Sequence, residues 1–174
     1  MEQSIDVNKI RFIASYFGEK VNGLTVTKMM KLFYYTDFIS FNERGSSISG
    51  DVYFKLPYGP VPTFIKSEMD TLIKGGLETD IDSVFRGYLK AEAFEKPDYK
   101  GYILKNTSKR PSESCLSEYE FGLVEKVVSK FKSTSAKKLS EKTHKEEPYT
   151  MTSDAGIIDY ALSKYLKPNQ ILNG

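Results

Sequence analysis

Tryptophan is absent from this 174-residue chain, and cysteine and histidine occur once each, as Cys115 and His144. A lone cysteine excludes an internal disulfide, and the opening MEQSIDVNKI lacks the apolar core of a signal peptide, so a reducing cytoplasm is the expected setting. One Cys and one His cannot supply the three or four ligands of a zinc site, so no metal and no cofactor is expected. Any Ser-His-Asp or Cys-His chemistry would have to use His144 as its base. Charge of one sign is also lacking: 25 basic side chains against 23 acidic leave +2, too little to argue for nucleic acid or an anionic membrane as the main partner. No apolar run approaches the roughly 20 residues that cross a bilayer.

What is present is an ordinary globular composition, 40% hydrophobic and 28% charged. The chain is of single-domain size. Asp6 caps an expected helix whose Ile10, Ile13, Ala14 and Phe17 share a face, with Gly18 as its stop. The next segment, TVTKMMKLFYYTDFISF, starts behind a threonine cap at Thr25 or Thr27 and is apolar around most of its circumference, as befits a central helix. Its polar line is Lys28, Lys31 and Tyr35, readable as a solvated face or as a recognition stripe. Asp37 falls among apolar neighbours and needs a partner.

The stretch ERGSSISGDVYFKLPYGPVP reads as a shaped loop with at most one short strand, at 52–56. Within it Gly59-Pro60-Val61-Pro62 fixes φ twice and removes two backbone donors, so it is a stiff elbow that either aims the next helix or meets a partner. Pro62 suits the first turn of a helix bearing Phe64, Ile65, Met69 and Leu72, ended by Gly75 and Gly76. Residues 84–106 predict an antiparallel hairpin turning at KPDYKG. Ser117 with Glu120 is a capping box ahead of Phe121, Val124, Val128 and Phe131. A short helix from Ser135 to His144 stops before Pro148. A last one over 154–166 places Ile158, Ala161, Leu162 and Tyr165 on one face, and residues 169–174 form a frayed tail. The expected fold is mainly α (α+β), one compact helical domain with a small antiparallel hairpin.

His144 sits at a helix end, where a structural role is commoner than a catalytic one. The lysines from Lys126 to Lys145 alternate with Glu125, Glu141 and Glu146, the pattern of a mixed-charge surface rather than a phosphate patch.

Three segments together resemble the Panacea domain, the SocA-like antitoxin domain. They are T-K-x-x-K-L-x-Y-x-x-D at Thr27–Asp37, I-x-G-x-x-Y at Ile48–Tyr53 with P-Y-G-P-V-P at Pro57–Pro62, and L-S-x-x-T-H-x-E-x-P with its following aromatic at Leu139–Tyr149. Tyr149 stands where tryptophan is usual, and Leu116-Ser117 matches a further helix start. The resemblance covers residues 1–168 and implies an antitoxin that binds and neutralises a neighbouring protein toxin, in some members by delivering it to a protease. It shifts weight to the loop and stripe, so Lys28, Lys31, Tyr35, Tyr53, Tyr58, Gly59, Pro60 and Val61 are the expected partner-facing residues or the scaffold of that contact. The rival reading is an enzyme that reverses a toxin's modification through Asp37 or His144.

Overall fold

In a computed structural model, which describes residues 4–75, 82–97, 99–112 and 115–173, everything is arranged around one helix. That helix, α2 (Val26–Arg44), has every residue from Lys28 to Ser40 buried. A helix without a polar side has to be surrounded. Thr25 caps its start by accepting from the Lys28 N–H, and Gly45, at φ 75°, ends it. The expected wet stripe does not exist: Lys28, Lys31 and Tyr35 are 5%, 1% and 0% exposed. Each polar head instead finds an acceptor on another element, as described below.

Helix α1 (Val7–Lys20) starts at Asp6 as expected but runs past Gly18. There a Cβ would sit 2.3 Å from the Asn106 Oδ1, so the glycine permits close approach of a hairpin rather than ending the helix. That hairpin, β3 (Leu89–Lys96) and β4 (Tyr99–Asn106), is antiparallel with Leu89 opposite Asn106. It is tied down where the Asn106 amide donates to the Ser15 carbonyl and the Leu104 N–H to the Leu24 carbonyl.

A second antiparallel hairpin replaces the expected loop: β1 (Tyr53–Leu56) and β2 (Gly59–Pro62) turn at Pro57-Tyr58. Two prolines in a strand argue against pairing, yet the register resolves the conflict. Leu56 opposite Gly59 closes the turn, so Pro60 and Pro62 occupy the positions whose nitrogens point away from β1. The other edge of β1 is covered too, by 155–158: the Lys55 N–H donates to the Gly156 carbonyl, and the Ile158 N–H to the Tyr53 carbonyl.

Helix α3 (Thr63–Lys74) follows directly and ends at Gly75; Gly76 lies outside the described residues. Pro62 stands at its cap without an acceptor side chain, and Asp51 supplies one from outside. Its carboxylate accepts from the Phe64 and Ile65 N–H groups at 3.0 and 2.8 Å. Helix α4 (Glu118–Phe131) begins at the expected capping box, and α5 (Ala136–Thr143) at Ser135. The short α6 (Glu147–Thr150) carries Pro148 in its first turn.

The expected helix over 154–166 is corrected. After a turn at Ala155, φ 56°, residues 156–158 run beside β1, and only Tyr160–Tyr165 coils, as a 3₁₀ helix with Ser163 buried. Ala161 and Tyr165 are exposed, because pairing with Lys55 takes the backbone that a helix would have used. Nor does the tail fray over its described length: Pro168–Asn173 is a helix, α7, with Ile171 buried. No helix among the described residues is long and apolar enough to cross a membrane.

Candidate partner-binding site

The segments that carried the resemblance meet at the β1–β2 hairpin, where α2 passes beneath it and the α5–α6 turn closes over one side. Lys31 projects from α2 and its Nζ donates to the Pro60 carbonyl at 2.8 Å. That carbonyl points outward from β2 for the same reason that the proline nitrogen does. Gly59, at φ 104°, lies so close that a Cβ would be 2.7 Å from the Lys31 Cε and 2.8 Å from the Thr143 Oγ1. One turn along α2, the Tyr35 hydroxyl donates to the Glu146 Oε1 at 3.0 Å, while its ring stacks on Phe131 at 4.6 Å. The Tyr34 hydroxyl faces the same carboxyl outside hydrogen-bond geometry. At the far end Asp37 accepts from the Ile48 and Ser49 N–H groups, the Ser49 hydroxyl and the Tyr53 hydroxyl.

Burial shifts these groups. Desolvation pulls the Lys31 amine down to about 7, since a neutral carbonyl is a weak substitute for a counter-ion. Desolvation pushes the Glu146 carboxyl up to about 7 against the opposing pull of Tyr35 and Lys142. Asp37 is raised only to about 6, because its four donors resist the burial. His144 is lowered by burial and by the Lys31 and Lys55 charges. It hydrogen-bonds the Pro57 backbone, which has no N–H, so the imidazole is the donor. Its other nitrogen, Nε2, is buried without a partner among the described residues, and its ring lies 4.6 Å from that of Tyr149. The Tyr149 hydroxyl in turn donates to the Leu56 carbonyl. Among the described residues no group of three or more His, Cys, Asp and Glu side chains is placed to hold a metal ion.

The eight expected site residues therefore separate by exposure. Lys28, Lys31, Tyr35, Tyr53, Gly59, Pro60 and Val61 are buried; Tyr58, at the hairpin tip, is 76% exposed. The hairpin's outer face is apolar: Phe54 stands between Val61 on one side and Ile157, 60% exposed, on the other, and Leu56 continues towards the tip. Phe54, Leu56 and Val61 also form one wall of a groove of about 440 Å³ against α3, whose Lys66 and Asp70 pair across its polar side. Sequence reasoning missed Phe54, Leu56 and Ile157, since a loop has no faces and a helix would have turned Ile158 inward alone. It missed Asp51 as well, although an aspartate placed before a helix whose cap is proline was a usable signal.

The fold and this arrangement define a mixed α+β domain, built on one encircled helix and a proline-strand hairpin with an apolar outer face. The family model described as antitoxin SocA-like, Panacea domain, matches residues 29–149, well over half of the chain, and the protein belongs to that family. No curated protein and no solved structure matches it significantly. The match contains the whole network from Lys31 to Tyr149, with Thr27 and Lys28 just ahead of it.

Proposed function

We propose that this antitoxin-family protein binds a cognate protein toxin and neutralises it by covering its working surface, performing no chemistry itself. The observation that carries the reading is the division of the hairpin: an exposed Tyr58 with an apolar outer face, on a backbone held rigid from within. Tyrosine at a fixed tip offers large contact area at little entropic cost. Tyr58 is assigned as the anchor, with Leu56, Phe54 and Ile157 beside it. Lys31, Tyr35, Tyr53, Gly59 and Pro60 act as the scaffold that presents them, Val61 stands beside Phe54 at the groove, and Lys28 lies away from this face against Lys132. A stable masking contact needs about 1,600 Å² in total, more than the hairpin provides, so the groove against α3 belongs to the same footprint.

The test is co-expression with the toxin encoded by the adjacent reading frame. Tyr58→Ala and Ile157→Asp, both folded, protect cells poorly and bind the toxin about 30-fold more weakly or worse. Full protection by both removes this face from the assignment. A His144→Ala variant that binds toxin normally but no longer protects overturns masking in favour of catalysis, and protection that vanishes in a protease-deficient host overturns it in favour of delivery to a protease.

A further inference from the structure

Away from the hairpin, where α2 begins and α4 gives way to α5, the surface opens into a cleft of about 630 Å³. Lys20, Lys28 and Lys132 line it and no acidic side chain does. Lys28 is the unusual member. Only 5% exposed, its ammonium donates to the Lys132 carbonyl at 2.7 Å, and among the described residues neither Lys28 nor Lys132 forms an ion pair. A buried ammonium has three donors and strongly prefers a compensating charge. Lys20 at the rim pairs with its neighbour Glu19, which Arg110 also approaches, so this rim lysine is already partly neutralised.

Hydroxyl groups make up much of the remaining lining, from Thr25, Ser133, Thr134 and Ser135. The Thr25 and Ser135 side-chain oxygens accept from Lys28 N–H and Lys138 N–H to cap α2 and α5, which leaves each hydroxyl proton free to give. Both helices start at this cleft, where their first-turn N–H groups have no intrahelical acceptor, while α1 and α4 end there at Lys20 and Phe131 with lysines at or beside their last turns. The volume falls within the range of small-molecule sites. Burial also holds the Lys28 amine below its ordinary value, and an anion beside it would offset that desolvation.

We propose that this cleft binds a phosphate-bearing small molecule, with Lys28 and Lys132 as its cationic clamp, Lys20 at the rim, and Thr25 and Ser135 as hydroxyl donors. Neutral sugars and carboxylate-free amines have nothing here to balance the lysines. The site lies on other elements than the Tyr58 face and does not depend on toxin binding.

The experiment is a ¹H–¹⁵N titration of the free protein with orthophosphate, pyrophosphate and ATP at constant ionic strength. The amides of Thr25, Lys28, Ser133 and Ala136 shift saturably, with Kd in the millimolar range or tighter. Lys28→Met, and independently the exposed Lys132→Gln, weaken binding about tenfold or more, the scale of a lost charge-assisted contact. ATP binding more tightly than pyrophosphate identifies a nucleotide as the ligand; equal affinities identify the inorganic anions. Absence of saturable shifts up to about 10 mM of all three, or unchanged affinity in both variants, overturns the proposal.

Discussion

The two faces of the β1–β2 hairpin share a backbone and differ in almost everything else. Inward, Tyr53, Pro60 and Pro62 are sealed, and every polar atom that approaches them, from Lys31 and Asp37, is held by a named partner. Outward, Phe54, Leu56 and Ile157 meet solvent, and Tyr58 stands clear at the tip. The inner face carries most of the family-like pattern, and the outer face carries the freedom to touch another molecule. The motif residues thus lie mainly on the inner side, while the exposed residues are mainly the apolar ones that alternate with them, with Tyr58 at the tip.

The strongest way to break this comparison is at Asp37. Asp37→Ala strands two buried N–H groups and two hydroxyls, and costs ~3–5 kcal/mol in urea unfolding. Gly59→Val comes next: it forces a β-branched residue to φ 104° against Lys31 and Thr143, and lowers stability by ~2–4 kcal/mol. Tyr58→Ala, one residue away, leaves unfolding within about 0.5 kcal/mol but weakens toxin binding about 30-fold, ~2 kcal/mol, by calorimetry. If the stability effects of Gly59 and Tyr58 were equal, the division between faces would fail.

The smallest effect is in the pH profile of the inner network. Glu146 has a folded pKa of about 7, above its unfolded value, so the stability it gives is complete below about 4.5 and is lost as pH climbs to 7. Asp37, raised to about 6, acts in the same sense. Lys31, lowered to about 7, gives stability that is complete only above about 10.5 and is lost as pH falls towards 7. His144, also lowered, opposes the carboxylates on the acid limb. The sum is a shallow minimum of stability near neutrality. Glu146→Gln flattens the acid limb and Lys31→Met the alkaline one, each by on the order of 1–2 kcal/mol in denaturation series from pH 5 to 9.

How much of this was legible beforehand depended on range. The starts of α1, α2, α4 and α5 were readable because Asp6, Thr25, Ser117 and Ser135 bond N–H groups three residues ahead. The β3–β4 hairpin was readable from its alternation and turn. Strand β2 was hidden because Pro60 and Pro62 suit a strand only in one register, and that register depends on Leu56 facing Gly59. The burial of Lys28, Lys31 and Tyr35 was hidden because their acceptors lie 104, 29 and 111 residues away.

Alone, the order of residues determined one encircled helix, the capped starts around it, the signature segments and the scarcity of Cys and His, since each is a matter of neighbours along the chain or of simple count. Only the folded arrangement decided which polar side chains vanish inside, that residues 156–158 run beside β1 rather than coil, and that Tyr58 alone among the eight expected site residues is largely exposed. Those outcomes turn on acceptors and walls supplied from distant parts of the chain, whose positions no local pattern encodes.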